Sequence, residues 1–151
     1  MIYIKNVRYE YMNQQTYVQK NIMILEDAPA IANDLKEVFE KHCFQVTTID
    51  NGNDCLLELE EGFQGIIILG LWVPILDCVA TTKKIITNGF TDQNIIIMLT
   101  PKRIQGHEFD EIYPYSHEYV FKPFETDDLL QTIKKSRTAI ASKGYIINTI
   151  F

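Results

Sequence analysis

Absent from the sequence are any run of lysines or arginines, any close pair of cysteines and any apolar stretch long enough to cross a membrane. Each absence removes a class of function. With 20 acidic against 14 basic residues and a formal charge of -6, the balance works against binding a phosphate backbone, which needs a positive face, so nucleic acid is not an expected partner. The 3 cysteines, at 43, 55 and 78, have neither zinc-site pairing nor the even count of a disulfide framework. They read as small hydrophobes in a reducing, cytoplasmic compartment. The opening "MIYIKNVRYEYMNQQ" places charges and amides where a signal peptide needs continuous apolar residues. The longest apolar stretch, "IIILGLWVPIL", is interrupted by Gly70 and Pro74 and falls short of the roughly 20 residues of a membrane helix. No repeat or low-complexity tract is present, and the length suits one domain that buries a core without staples.

From Asn21 onward the pattern alternates. Five short β-branched runs, at 22–25, 44–49, 66–69, 95–99 and 119–121, are separated by segments with helical spacing. Ile31, Leu35, Val38 and Phe39 form one stripe of a helix that begins near Pro29, where a missing N–H costs nothing. Leu56 and Leu59 mark a second helix, Val79, Ile85 and Ile86 a third, and Leu129, Leu130 and Ile133 a fifth that opens with Thr126, Asp127 and Asp128. A fourth segment, about 102 to 112, holds Gly106 and ends at Pro114, so it is expected to be short or irregular. Strands buried on both faces that alternate with helices give an α/β parallel sheet in a three-layer sandwich, with ligands at the carboxyl ends of the strands.

At those strand ends stand Glu26-Asp27, Gly70, Thr100-Pro101 and "FKPF" at 121–124. With the "P-x-x-D" that follows strand three, these marks fall in the order seen in receiver domains of two-component response regulators, and the stretch from about 20 to 140 resembles that family. The resemblance implies a flavodoxin-like fold with strand order 2-1-3-4-5. It also implies a phosphorylation pocket in which an acidic pair and a strand-three aspartate hold Mg²⁺, and that aspartate takes a phosphoryl group from a histidine kinase. By position, Glu26 and Asp27 are the acidic pair, Thr100 the hydroxyl, Lys122 the amine that binds phosphoryl oxygens, and Tyr119 the responsive aromatic. The nucleophile's position is Gly70.

Glycine supplies neither nucleophile nor metal ligand. Pro101, where the family usually has Ala or Ser, lacks the backbone N–H that helps hold the phosphoryl group. The expectation is therefore a degenerate pocket of Glu26, Asp27, Gly70, Thr100, Pro101 and Lys122, with no catalytic residue, no bound metal and no cofactor. Lys122 is expected to pair with Asp27. Thr100 before Pro101 equally fits a helix cap, Tyr119 a half-buried edge aromatic, and Asp77 a turn or cap. His42, His107 and His117 share no face and read as solvent-facing.

Residues 1–20 form an N-terminal extension with an alternating stretch, 21–140 the receiver-like domain, and 141–151 an apolar tail; both ends have strand-like composition. With only that tail after the fifth helix, a stand-alone, non-phosphorylatable pseudo-receiver is expected, acting through protein association. Its partner is a histidine kinase, another signalling protein or a second copy. The partner face implied by the family bears Tyr113, Tyr115, Tyr119 and Phe121, aromatics of the kind enriched at interfaces. The rival readings are a small-molecule sensor on the same fold and a small flavodoxin-like enzyme. The second is disfavoured by the acidic first loop "EDAPA", which lacks the groups that cradle a phosphate.

Overall fold

Five strands, Asn21–Leu25 (β1), Gln45–Ile49 (β2), Ile66–Gly70 (β3), Ile95–Pro101 (β4) and Glu118–Lys122 (β5), lie parallel in the order β2-β1-β3-β4-β5. The computed structural model describes residues 20–26, 28–70, 75–101, 110 and 118–147, the side chains of 75–78, 101, 122 and 137–147 excepted. Its α-helices are Pro29–Lys41 (α1), Gly52–Glu60 (α2), Ile75–Thr87 (α3) and Thr126–Ile147 (α4). The fourth helical segment expected near 102–112, the strand-like residues 1–19, and His107, Tyr113, Tyr115 and His117 lie outside the described residues.

The β-branched runs bury both faces because the sheet separates two cores. Ile22, Ile24, Ile66, Ile68, Ile95 and Ile97 join Leu35 and Phe39 of α1 and Leu129 and Ile133 of α4. Their sequence neighbours Met23, Leu25, Ile67, Leu69, Ile96 and Met98 join Cys55 and Leu59 of α2 and Val79 and Ile85 of α3. Successive side chains of a strand point to opposite faces, so a strand covered on both sides must be apolar at every position. β2 departs from that expectation. It is an edge strand, and Gln45, Thr47 and Thr48 are exposed. Polar residues on an edge discourage pairing with foreign chains.

Two helical expectations are corrected. The buried stripe of α1 is Ala32, Leu35 and Phe39, whereas Ile31 is 37% exposed; the helix rotates to place Ala32 against the sheet, where a small side chain allows close approach. The segment 144–147, expected as strand-like, continues α4 without a break. Once a well-packed helix is nucleated, extending it adds a hydrogen bond per residue, which outweighs the small helix penalty of isoleucine. The boundary expected after residue 140 therefore falls inside a helix.

Helix ends show where local chemistry is well matched and where it is not. After α2, Gly62 adopts φ 106° and its N–H donates to the Leu59 carbonyl, while Phe63 N–H donates to Glu58. After α1 the same paired bonds run from Cys43 to Glu40 and from Phe44 to Phe39, and the rings of Phe39 and Phe44 meet edge-on at 6.3 Å. This is a left-handed helix stop with its hydrophobic contact, but the left-handed residue is cysteine, at φ 66°. That conformation costs an L-residue about 1 kcal/mol or more, offset in part by glycine's larger freedom when unfolded. Cys43→Gly is expected to raise stability by about 0.5 kcal/mol in urea unfolding; a decrease would show that the thiol contributes packing. Of the described cysteines, exposed Cys43 is thus no core residue, whereas Cys55 is buried and its thiol is pushed up to about 12 by burial. It remains a protonated hydrophobe.

Candidate functional site

Strand register brings the site together. Leu25 pairs with Leu69, so Glu26, one residue beyond β1, stands beside Gly70, the last residue of β3. Gly70 pairs in turn with Leu99, Thr100 with Phe121 and Pro101 with Lys122. Neighbouring strands lie about 4.8 Å apart, and a residue just past the end of β1 is therefore within side-chain reach of the end of β3. Gly70, Thr100, Pro101 and Lys122 all prove to be strand residues rather than residues of the loops that follow.

Glu26 is 3% exposed although it carries a carboxyl group. Burying such a group is costly unless it is hydrogen-bonded. Its backbone N–H donates to the Ile49 carbonyl at 3.2 Å, prolonging the β1–β2 ladder, and its Oε1 accepts from the Ala28 N–H at 3.4 Å. The other carboxylate oxygen lies over Gly70. A Cβ at Gly70 would fall on Glu26 Oε2, 2.9 Å from Glu26 Cδ and 3.3 Å from the Leu25 carbonyl oxygen. The space a side chain at residue 70 needs is thus filled by the glutamate from the adjoining strand. This packing was not legible from spacing, because nothing in a linear pattern shows which way a glutamate at a strand end will turn.

Thr100 is 1% exposed at the end of β4. Tyr119 is half-buried and packs against the core shared with α2 and α3, and Phe121 is 53% exposed on the edge strand β5. Asp27 and the side chains of Pro101 and Lys122 lie outside the described residues, as do the expected Lys122–Asp27 pair and the cap reading of Thr100. Asp77 falls in the first turn of α3. His42 is exposed, with Nδ1 2.9 Å from the Val38 carbonyl oxygen.

Among the described residues no three His, Cys, Asp or Glu side chains gather as a metal site. The described part of the pocket is also a poor match for Mg²⁺, which takes oxygen ligands in near-octahedral geometry. Gly70 offers no side-chain oxygen, and the Glu26 carboxylate is turned onto the glycine. Sequence reasoning missed a groove of about 580 Å³ beside this pocket, between α1 and α2 on the open edge of the sheet. Glu26, Asp50, Asp54, Glu58 and Glu61 line it, together with Leu57, which is 52% exposed.

A five-stranded parallel sheet in this order, with the candidate pocket at its carboxyl ends, defines a receiver-type α/β domain. The profile of the response regulator receiver domain matches residues 22–134, and the chain belongs to that family. Receiver domains of this family act in signal transduction. The phosphate regulon transcriptional regulatory protein PhoB of Rhizobium meliloti is 26% identical over 113 residues, 75% of this chain and 50% of its own length. The chemotaxis protein CheY of Bacillus subtilis is 25% identical over 116 residues, 76% of this chain and 95% of its own. The chain thus spans half of the first relative and nearly all of the second. Among solved structures, the CheY-like receiver domain protein of Methanospirillum hungatei JF-1 superposes with a TM-score of 0.73 at 24% identity, covering 81% of this chain and 97% of that one. Among the described residues no helix is long and apolar enough to cross a membrane.

Proposed function

We propose that this chain is a pseudo-receiver: a receiver-fold module that takes part in signalling by protein association, without a phosphorylation cycle and without enzymatic turnover. The observation that carries this reading is the Glu26 carboxylate filling the space over Gly70, where an acceptor side chain would have to stand. Phosphoryl capture at residue 70 needs a nucleophilic oxygen, and glycine has none. Two further features support the reading. Pro101 has no N–H to offer a phosphoryl oxygen, and the emptied ligand position weakens any Mg²⁺ site built on Glu26 and Asp27. In this reading Lys122 pairs with Asp27, and the exposed Phe121 with Tyr119, Tyr113 and Tyr115 forms a face for a protein partner such as a histidine kinase.

Incubation with acetyl phosphate and Mg²⁺, followed by phosphate-affinity electrophoresis, tests the proposal. The expected result is a single unshifted band across the time course. A shifted band abolished by Glu26→Gln, Asp27→Asn or Asp77→Asn would locate an alternative acceptor and overturn it.

A further inference from the structure

The last helix is longer than the sheet it covers. At 22 residues α4 is roughly 33 Å long, against about 17 Å for the 5-residue strands. Its buried positions Leu129, Leu130, Ile133 and Ser136 cover the sheet face shared with α1. The family match ends at 134, yet the helix continues to Ile147. At helical spacing, Ile133 is followed by Ile140 and Ile147, with Arg137 and Lys143 three residues to either side of Ile140. From residue 129 to 151 the sequence has Lys134, Lys135, Arg137 and Lys143 and no acidic residue, in a chain of net charge -6. This overrun is basic and apolar.

The groove between α1 and α2 has the opposite charge. Asp50, Asp54, Glu58 and Glu61 surround the exposed Leu57, and among the described residues no lysine or arginine lines it. The Asn51 amide bonds Asp50 and Asp54 at 2.8 Å each, which fixes them in place without neutralising their charge. A basic and apolar helix matches such a surface in charge and in hydropathy.

The overrun cannot reach the groove of its own chain. α4 starts beside the carboxyl end of β5 and packs back along the sheet, so it leaves past the amino ends of the strands. The groove lies at the carboxyl ends of β1 and β2, where Glu26, Ile49 and Asp50 stand. We propose that the occupant is a second copy of this chain. Two copies run antiparallel about a twofold axis, and the α4 overrun of each lies in the acidic groove of the other. Such an isologous contact closes on itself and forms twice. It does not depend on what Gly70 does.

Sedimentation velocity tests this with two pairs of charge reversals. Glu58→Lys with Glu61→Lys changes the groove at the carboxyl end of α2, where cations suit the helix dipole; Arg137→Glu with Lys143→Glu changes the overrun. Circular dichroism confirms folding. The parent is expected to be a dimer that weakens with salt, and each double variant is expected to dissociate at least about tenfold more readily. An equimolar mixture of the two variants restores both contacts with charges exchanged, and it is expected to dimerise like the parent. Three results would overturn the inference: a monomeric parent at high micromolar concentration, a dimer indifferent to both reversals, or a mixture that stays monomeric. Binding of a monomeric parent to phosphatidylglycerol vesicles would assign the basic overrun to a membrane surface instead.

Discussion

Gly70→Asp will melt below the parent in EDTA, and Mg²⁺ will recover part of the loss. The new Cβ falls where Glu26 Oε2 now lies, so the glutamate must swing away and give up its bond from the Ala28 N–H. The introduced carboxylate then sits beside a 3%-exposed Glu26. Overpacking typically costs 1 to 3 kcal/mol, and two like charges about 4 Å apart add a repulsion of up to roughly 4 kcal/mol at an intermediate dielectric. Because Glu26 is flexible and partly relaxes both, the expected net loss is about 2 to 4 kcal/mol, or roughly 6–12 °C for a chain of this length. Gly70→Ala separates the causes, since it keeps the steric part and has no charge. The excess of Asp over Ala should shrink in Mg²⁺, whereas the Ala deficit should not respond. An Asp variant as stable as the parent in EDTA would mean that Glu26 yields the space freely.

The second large effect concerns repair. Gly70→Asp introduces a carboxylate nucleophile, but the residue after Thr100 still has no N–H. A lost hydrogen bond to a charged group costs roughly 1.5 to 3 kcal/mol, and loss of one preorganised donor slows chemistry on the order of a hundredfold. Gly70→Asp is therefore expected to accept phosphate from acetyl phosphate poorly, and adding Pro101→Ala should speed labelling by at least about tenfold, near 1.4 kcal/mol. Both variants must displace Glu26, so that cost cancels in the comparison. Equal rates would clear Pro101 and leave the defect to Gly70 and Glu26 alone.

The sheet was legible in the sequence because its strands are buried on both faces and isoleucine runs such as 66–68 and 95–97 have few other uses. The placement of Glu26, Gly70, Thr100 and Lys122 at neighbouring strand ends was legible because it follows from strand order. Three things were not. The rotation of α1 that exposes Ile31 and buries Ala32 depends on how closely the helix can approach, which helical periodicity alone leaves open. The helical run through 144–147 reflects cooperativity inherited from the packed half of α4 and overrides local β-propensity. The turn of Glu26 onto Gly70 is a contact between strands, decided by the volume a missing side chain leaves. The sequence shows a glycine at residue 70, and the structure shows Glu26 in the space over it.

A crystal structure grown with Mg²⁺ and beryllofluoride decides whether Glu26 keeps the space over Gly70. The expected result is Glu26 with its carboxylate against Gly70 and no beryllofluoride adduct in the pocket. A beryllofluoride group on Glu26 or Asp27, with Glu26 lifted from Gly70 and a metal ion beside it, would contradict the account and show a receiver that has moved its acceptor rather than lost it.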